Sequence, residues 1–244
     1  MKNTTDKIRL DDRIILVTGA GDGIGKAVSL DCAKRGATII LLGKTIQKLE
    51  QVYDEIVANG GPDPAIYPLD LQGASEDDYE DLKENIEKEF NHLDALLNNA
   101  GWLGASTPVE MYDTELWYKV LQTNLNAPFM LTRACIPLIK NSKQGAIVFT
   151  TDQKCSAYWG AYGVAKAGMR AFMQILADEL ESKNICINAL DPGPVYTSFR
   201  TRAFPAEDPR QLNKPEDVSA PFAYLLSGDC GGTTGKTFTL EDFS

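Results

Sequence analysis

The chain has 244 residues, 43% of them hydrophobic and 24% charged, and carries no low-complexity tract, a composition that excludes a disordered chain. Its formal net charge of -10 opposes binding to nucleic acid or to an anionic membrane, while leaving room for a local basic pocket around a phosphate. No run approaches the roughly 20 apolar residues of a membrane span, and the opening MKNTTDKIRLDD lacks the apolar stretch of a secretion signal, so a cytoplasmic location is expected.

The first predicted element is the strand RIILVTG, and TGAGDGIG, from Thr18 to Gly25, follows it and leads straight into a helical segment. Glycines at 19, 23 and 25 permit a tight turn, a close backbone approach to a pyrophosphate and close packing of helix on strand. The helix start would offer unpaired N–H groups to the phosphates. A glycine string alone is equally an ordinary turn; the strand before it and the helix after it favour the phosphate cradle.

Further along come the strands ATIILLG and AIYPLD, then SEDDYEDLKENIEKEF, where Tyr79, Leu82, Ile86 and Phe90 recur at helical spacing and the rest is a solvated charged face. LDALLNN and GAIVFTT are the fourth and fifth strands, followed by a helix that carries Tyr162 and Lys166 one turn apart on one face. ICINALD and KTFTLE complete seven strands. Strands that are apolar throughout need cover on both faces, so the alternation with helices predicts one α/β domain over residues 1–244, a doubly wound parallel sheet with helices on both sides. Its ligands would sit beyond the carboxyl ends of the strands. The proline- and charge-rich stretch after the sixth strand suits a substrate lid over 195–213.

Other residue types narrow the chemistry. His92 is the only histidine, which gives neither a multi-histidine metal site nor a base paired with a nucleophile, so no metal site is expected and a hydrolase is disfavoured. Cys32, Cys135, Cys155, Cys186 and Cys230 lack the spacing of a zinc site or a disulfide framework, and most read as small buried filler.

Six strings in order resemble the short-chain dehydrogenase/reductase family along nearly the whole chain: TGAGDGIG, Asp70-Leu71, NNAG from Asn98 to Gly101, Asn124, Tyr162 with Lys166, and PGPVYT from Pro192 to Thr197. The lid and tail are closest to a bacterial branch of oxidoreductases without an assigned substrate. The resemblance implies a Rossmann-type sheet and a nicotinamide dinucleotide. Gly19, Asp22, Gly23, Ile24 and Gly25 would line its pyrophosphate, and Asp70 and Leu71 its adenine. Asn98, Ala100 and Gly101 would follow the cofactor beyond the fourth strand. Pro192, Gly193, Val195 and Thr197 would meet the nicotinamide and phosphate, and Tyr162 and Lys166 the nicotinamide ribose. Gly43 replaces the acidic residue usual in NAD-preferring members and Lys44 follows it, which points to NADP as the preferred cofactor with NAD as the alternative. Asp22 stands where many NADP-preferring members carry a basic residue.

The resemblance assigns Asn124, Tyr162 and Lys166 to catalysis, with a homodimer or homotetramer as the assembly. In such enzymes the tyrosine protonates the substrate oxygen, helped by an ammonium that favours the phenolate. The family serine is absent, and aligning the fifth strand puts Asp152 at its position. Three outcomes stay open: Asp152 donates in its protonated form, Thr151 rotates in as the hydroxyl donor, or the site is catalytically weak. Trp102, Leu103, Trp159, Phe199 and Phe204 suggest an apolar pocket for a small or medium carbonyl or alcohol substrate. The alternative is a non-catalytic or weakly active dinucleotide-binding sensor or scaffold.

Overall fold

A computed structural model describes residues 7–153, 156–181, 184–229 and 232–244. The seven apolar runs become β1 (Ile14–Thr18), β2 (Thr38–Gly43), β3 (Ala65–Pro68), β4 (Ala95–Asn98), β5 (Gly145–Thr150), β6 (Ile185–Asp191) and β7 (Thr237–Thr239). They form a single sheet in the order β3-β2-β1-β4-β5-β6-β7, and every neighbouring pair is parallel. The order reverses between β1 and β4, which leaves a crevice at their carboxyl ends.

The helices are α1 (Gly23–Lys34), α2 (Ile46–Ala58), α3 (Glu76–Phe90), α4 (Thr114–Leu121), α5 (Ala127–Ile139), α6 (Gly160–Glu179), α7 (Ser198–Ala203) and α8 (Ser219–Leu226). Alternate residues of β1 divide between two cores. Ile14 and Leu16 pack with Tyr79, Leu82 and Ile86 of α3, Leu131 of α5 and Met169 and Met173 of α6. Ile15 and Val17 pack on the other face with Val28 of α1, Leu49 and Val52 of α2 and Phe222 of α8. Side chains alternate across a strand, so a strand covered on both faces must be apolar at every position. That is why the sheet is so legible in the sequence.

Local signals fix the helix ends. Ser75 caps α3, accepting from Asp78 N–H, while the Asp78 carboxylate takes the Ser75 N–H at 2.7 Å. The 195–213 stretch is a closed excursion with its ends pinned together: Val195 bridges Asn213, and Tyr196 N–H donates to Asn213 O at 2.8 Å. It contains α7 and a short 3₁₀ turn, Pro209–Gln211. Cys32 and Cys135 are buried and free, as filler residues should be. Cys186 departs from that expectation because it is disulfide-bonded; Cys155 and Cys230 lie outside the described residues. Among the described residues, no helix is long and apolar enough to cross a membrane.

Candidate active site

A cleft of about 540 Å³ runs along the carboxyl edge of the sheet, from Lys44 at one end to Trp159 and Phe199 at the other. Glycine shapes its middle. Gly19 and Gly23 have φ of 65° and 52°, in the left-handed region that side chains disfavour. A Cβ on Gly25 would lie 2.3 Å from Gly19 O and 2.6 Å from Asn99 Nδ2, so the loop closes on itself and on the NNAG segment only because that position is bare. Thr18 ties the two together. Its hydroxyl accepts from the N–H groups of Asn99 and Ala100, each at 2.9 Å.

Asp22 caps α1 by accepting from Gly23 N–H at 2.7 Å. It also takes Lys48 Nζ at 2.7 Å and the Ser198 hydroxyl at 3.1 Å, joining the glycine loop to α2 and α7. Burial works to raise this carboxyl, but the hydrogen bond and charge of Lys48, with Gly23 and Ser198, hold it below the ordinary range. The lysine thus offsets the negative charge that the sequence places in the loop. Lys44, exposed at the end of β2, lines the same end of the cleft together with Gly43, Asp70 and Leu71.

At the other end, α6 delivers Tyr162 and Lys166 onto the end of β5. Lys166 is buried, and its Nζ donates to Thr150 O at 2.8 Å, with the Tyr162 ring centroid 5.7 Å away. Burial pushes the ammonium down to about 8, against the pull of Asp152 and Asp191, which hold it up. Burial, then the negative charges of Asp152 and Asp191, push the Tyr162 phenol well above its usual value. The sequence reading expected the reverse, a phenolate favoured by Lys166. The difference has a physical cause: the phenol is buried, the ammonium donates to Thr150 O, and the negative charges of Asp152 and Asp191 act on the hydroxyl.

Thr151 also lines the cleft, and its buried hydroxyl finds no partner among the described residues. Its main-chain N–H is held by Leu190 O at 2.9 Å. Asn124 lies in a π-helical turn, Gln122–Asn126, a helix irregularity common at functional sites. It is buried, accepts from Trp102 N–H at 3.0 Å and donates to Trp102 O and Val120 O, both at 2.8 Å. A Cβ on Gly101 would meet Asn124 Oδ1 at 3.2 Å and Lys166 Nζ at 4.0 Å, so these groups converge around a bare main chain.

Ala100, Gly101, Ile24, Pro192, Gly193, Val195 and Thr197 line the cleft with the residues above. Asn98 and Gly25 do not. Asn98 turns into the core, donating to the Thr132 hydroxyl at 3.0 Å, and Gly25 is packed behind the loop. The aromatic residues meet around Tyr162: Trp159 and Phe199 have ring centroids 5.6 Å and 5.2 Å from it, and Phe204 lies 5.8 Å from Trp159. Trp102 and Leu103 join the same cluster. The bare glycine positions, the cations at one end and the tyrosine–lysine pair at the other fit a dinucleotide laid along the cleft.

The short chain dehydrogenase family model matches residues 13–208. The chain belongs to the short-chain dehydrogenase family. It is an oxidoreductase acting on the CH–OH/C=O pair with a nicotinamide dinucleotide. It is 40% identical over 235 residues to the uncharacterized oxidoreductase YciK of Escherichia coli, covering 95% of this chain and 93% of that one. It is 32% identical to the cyclohexanol dehydrogenase of an Acinetobacter species, covering 96% and 95% of the two chains. A short-chain dehydrogenase from Shigella flexneri, solved in complex with NADP, superposes with a TM-score of 0.92 at 40% identity, covering 95% of this chain and 98% of that one.

Within this short-chain dehydrogenase site, sequence reasoning missed Asp191, Lys48 and Ser198. Asp191 carried a usable signal, an acidic residue at the carboxyl end of a strand directly before PGPV. Lys48 and Ser198 carried none, since their roles arise where α2 and α7 meet a distant loop. The glycine packing yields a prediction. Gly25→Ala should destabilise the fold by about 1–3 kcal/mol through overpacking and weaken dinucleotide binding, whereas Gly73→Ala, with nothing within 4 Å of the added methyl, should change neither. Urea unfolding and a dinucleotide titration of both variants check it.

Proposed function

We propose that this oxidoreductase is an NADP-dependent carbonyl reductase or alcohol dehydrogenase acting on small or medium apolar carbonyl or alcohol compounds. The observation that carries the reading is the Tyr162 hydroxyl, held protonated beside Lys166 at the aromatic end of a cleft whose far end carries Lys44. Support for NADP comes from the related Shigella flexneri complex and from Gly43, which offers a 2'-phosphate no repulsion. Support for an apolar substrate comes from the Trp102, Leu103, Trp159 and Phe199 wall, and from the relative that is a cyclohexanol dehydrogenase.

When bound, the reduced cofactor supplies a hydride to the carbonyl carbon. Tyr162 then gives the substrate oxygen a proton from its hydroxyl. Thr151 is the spare donor for the second lone pair, because its hydroxyl is buried and unspent. The phenolate left behind faces Asp152 and Asp191, which disfavour it and drive its reprotonation, with Lys166 as the adjacent proton source. The segment 195–213 acts as the lid, held to the glycine loop through Ser198 and Asp22. The assembly is a homodimer or homotetramer through α4 and α6, which expose Tyr118, Val164 and Ile175.

Two measurements check this reading. NADPH and NADH binding, and oxidation with a carbonyl panel, should show NADPH preferred. Lys44→Ala should narrow that preference by about 1.5–3 kcal/mol, the size of a charge-assisted phosphate contact. Tyr162→Phe should bind NADPH unchanged and lose on the order of 10²–10⁴ in turnover. Equal affinity for the two cofactors would contradict the first part, and an unaffected Tyr162→Phe the second. Light scattering should give a mass well above the 26.7 kDa of one chain; a monomer alone would contradict the assembly.

A further inference from the structure

Lys44, just after β2, and Lys48, in the first turn of α2, line the same end of the cleft. Packing sets the place of Lys48. Its neighbour Leu49 is buried, and a Cβ on Gly43 or Gly21 would lie 3.2 Å or 3.5 Å from Leu49 Cδ2, so this side chain is wedged against two bare main-chain positions. The rotation of α2 is thereby fixed, and the stem of Lys48 comes down on the glycine loop. A Cβ on Gly21 would lie only 2.9 Å from Lys48 Cβ. From there the ammonium reaches the Asp22 carboxylate at 2.7 Å.

That ion pair is open to water on both sides, with side-chain exposures of 50% for Lys48 and 48% for Asp22, and an ion pair so exposed holds weakly. Asp22 has other partners: one oxygen accepts from Gly23 N–H at the start of α1, and the other, besides Lys48, accepts from the Ser198 hydroxyl. Lysine is a compact charge on a mobile four-carbon stem. A phosphate monoester, with about two negative charges at neutral pH, attracts such a charge more strongly than a single carboxylate does.

We propose that Lys48 leaves Asp22 to read the 2'-phosphate of NADP together with Lys44, and that the Asp22 carboxylate limits the preference for NADP by competing for the same ammonium. The inference rests on the reading of the cleft as an NADP site. Cofactor choice is then set from two elements with opposite sign, α2 supplying a cation and the glycine loop its competitor. NAD, with a hydroxyl in place of that phosphate, leaves the Lys48–Asp22 pair as it stands.

Calorimetric titration with adenosine 2',5'-bisphosphate and with 5'-AMP tests this without turnover, because the two probes differ only in the 2'-phosphate. Their affinity ratio is the readout, since any general disturbance of the loop or of folding acts on both. The unmodified protein should favour the bisphosphate by at least about thirtyfold, and Lys48→Ala should lower the ratio about tenfold. Asp22→Asn, which keeps a good cap on α1, should raise it at least about threefold by removing the competitor. Lys26→Ala is the control for net charge, since Lys26 pairs with Glu55 and is not among the residues lining the cleft; it should leave the ratio unchanged. A ratio unmoved by Lys48→Ala, or lowered as far by Lys26→Ala, overturns the inference and leaves the NADP reading standing on Lys44. A ratio that does not rise in Asp22→Asn overturns it too. Equal binding of the two probes by the unmodified protein overturns both.

Discussion

A buried ammonium has to be answered by its surroundings, and the catalytic end of this protein is organised around that requirement. Removing an ammonium from water costs several kcal/mol unless hydrogen bonds and opposite charge replace the solvent. Lys166 finds a carbonyl at the end of β5 and two carboxylates, Asp152 and Asp191, at the ends of β5 and β6. Fixing Lys166 fixes the register of α6 on the sheet. Tyr162, one turn earlier on the same face, is then carried to the mouth of the cleft, between Trp159 and Phe199.

The same arrangement decides the protonation state of the tyrosine. Burial first, and then the charges of Asp152 and Asp191, keep the proton on the phenol. Thr151, next to Asp152, brings a buried hydroxyl to the same end of the cleft.

Most of the sheet was legible because of where it is buried. Seven apolar runs read as strands covered on both faces, and the glycine loop after the first of them marks the end where a ligand binds. Tyr162 and Lys166 were legible because one helical turn puts them together whatever the rest of the fold does. Asn98 was misleading as a cofactor contact: in a strand, neighbours point to opposite faces, and its side chain falls on the core side, toward Thr132. The sign of the tyrosine's shift was not legible either. It depends first on how deeply the phenol is buried, and then on Asp152 and on Asp191, brought in by a different strand. Asp22 illustrates the same limit. Read alone it is an awkward charge in a phosphate loop, but in the fold it is the meeting point of α1, Lys48 and Ser198.

The central claim is that Tyr162 stays a neutral phenol because it is buried beside Asp152 and Asp191. Ultraviolet difference spectra of the unmodified protein against Tyr162→Phe, recorded across a pH titration, read its ionisation directly. The account predicts that no tyrosinate assignable to residue 162 forms below about pH 10, the ordinary value for tyrosine. A tyrosinate that appears near neutral pH and vanishes in Tyr162→Phe would contradict it.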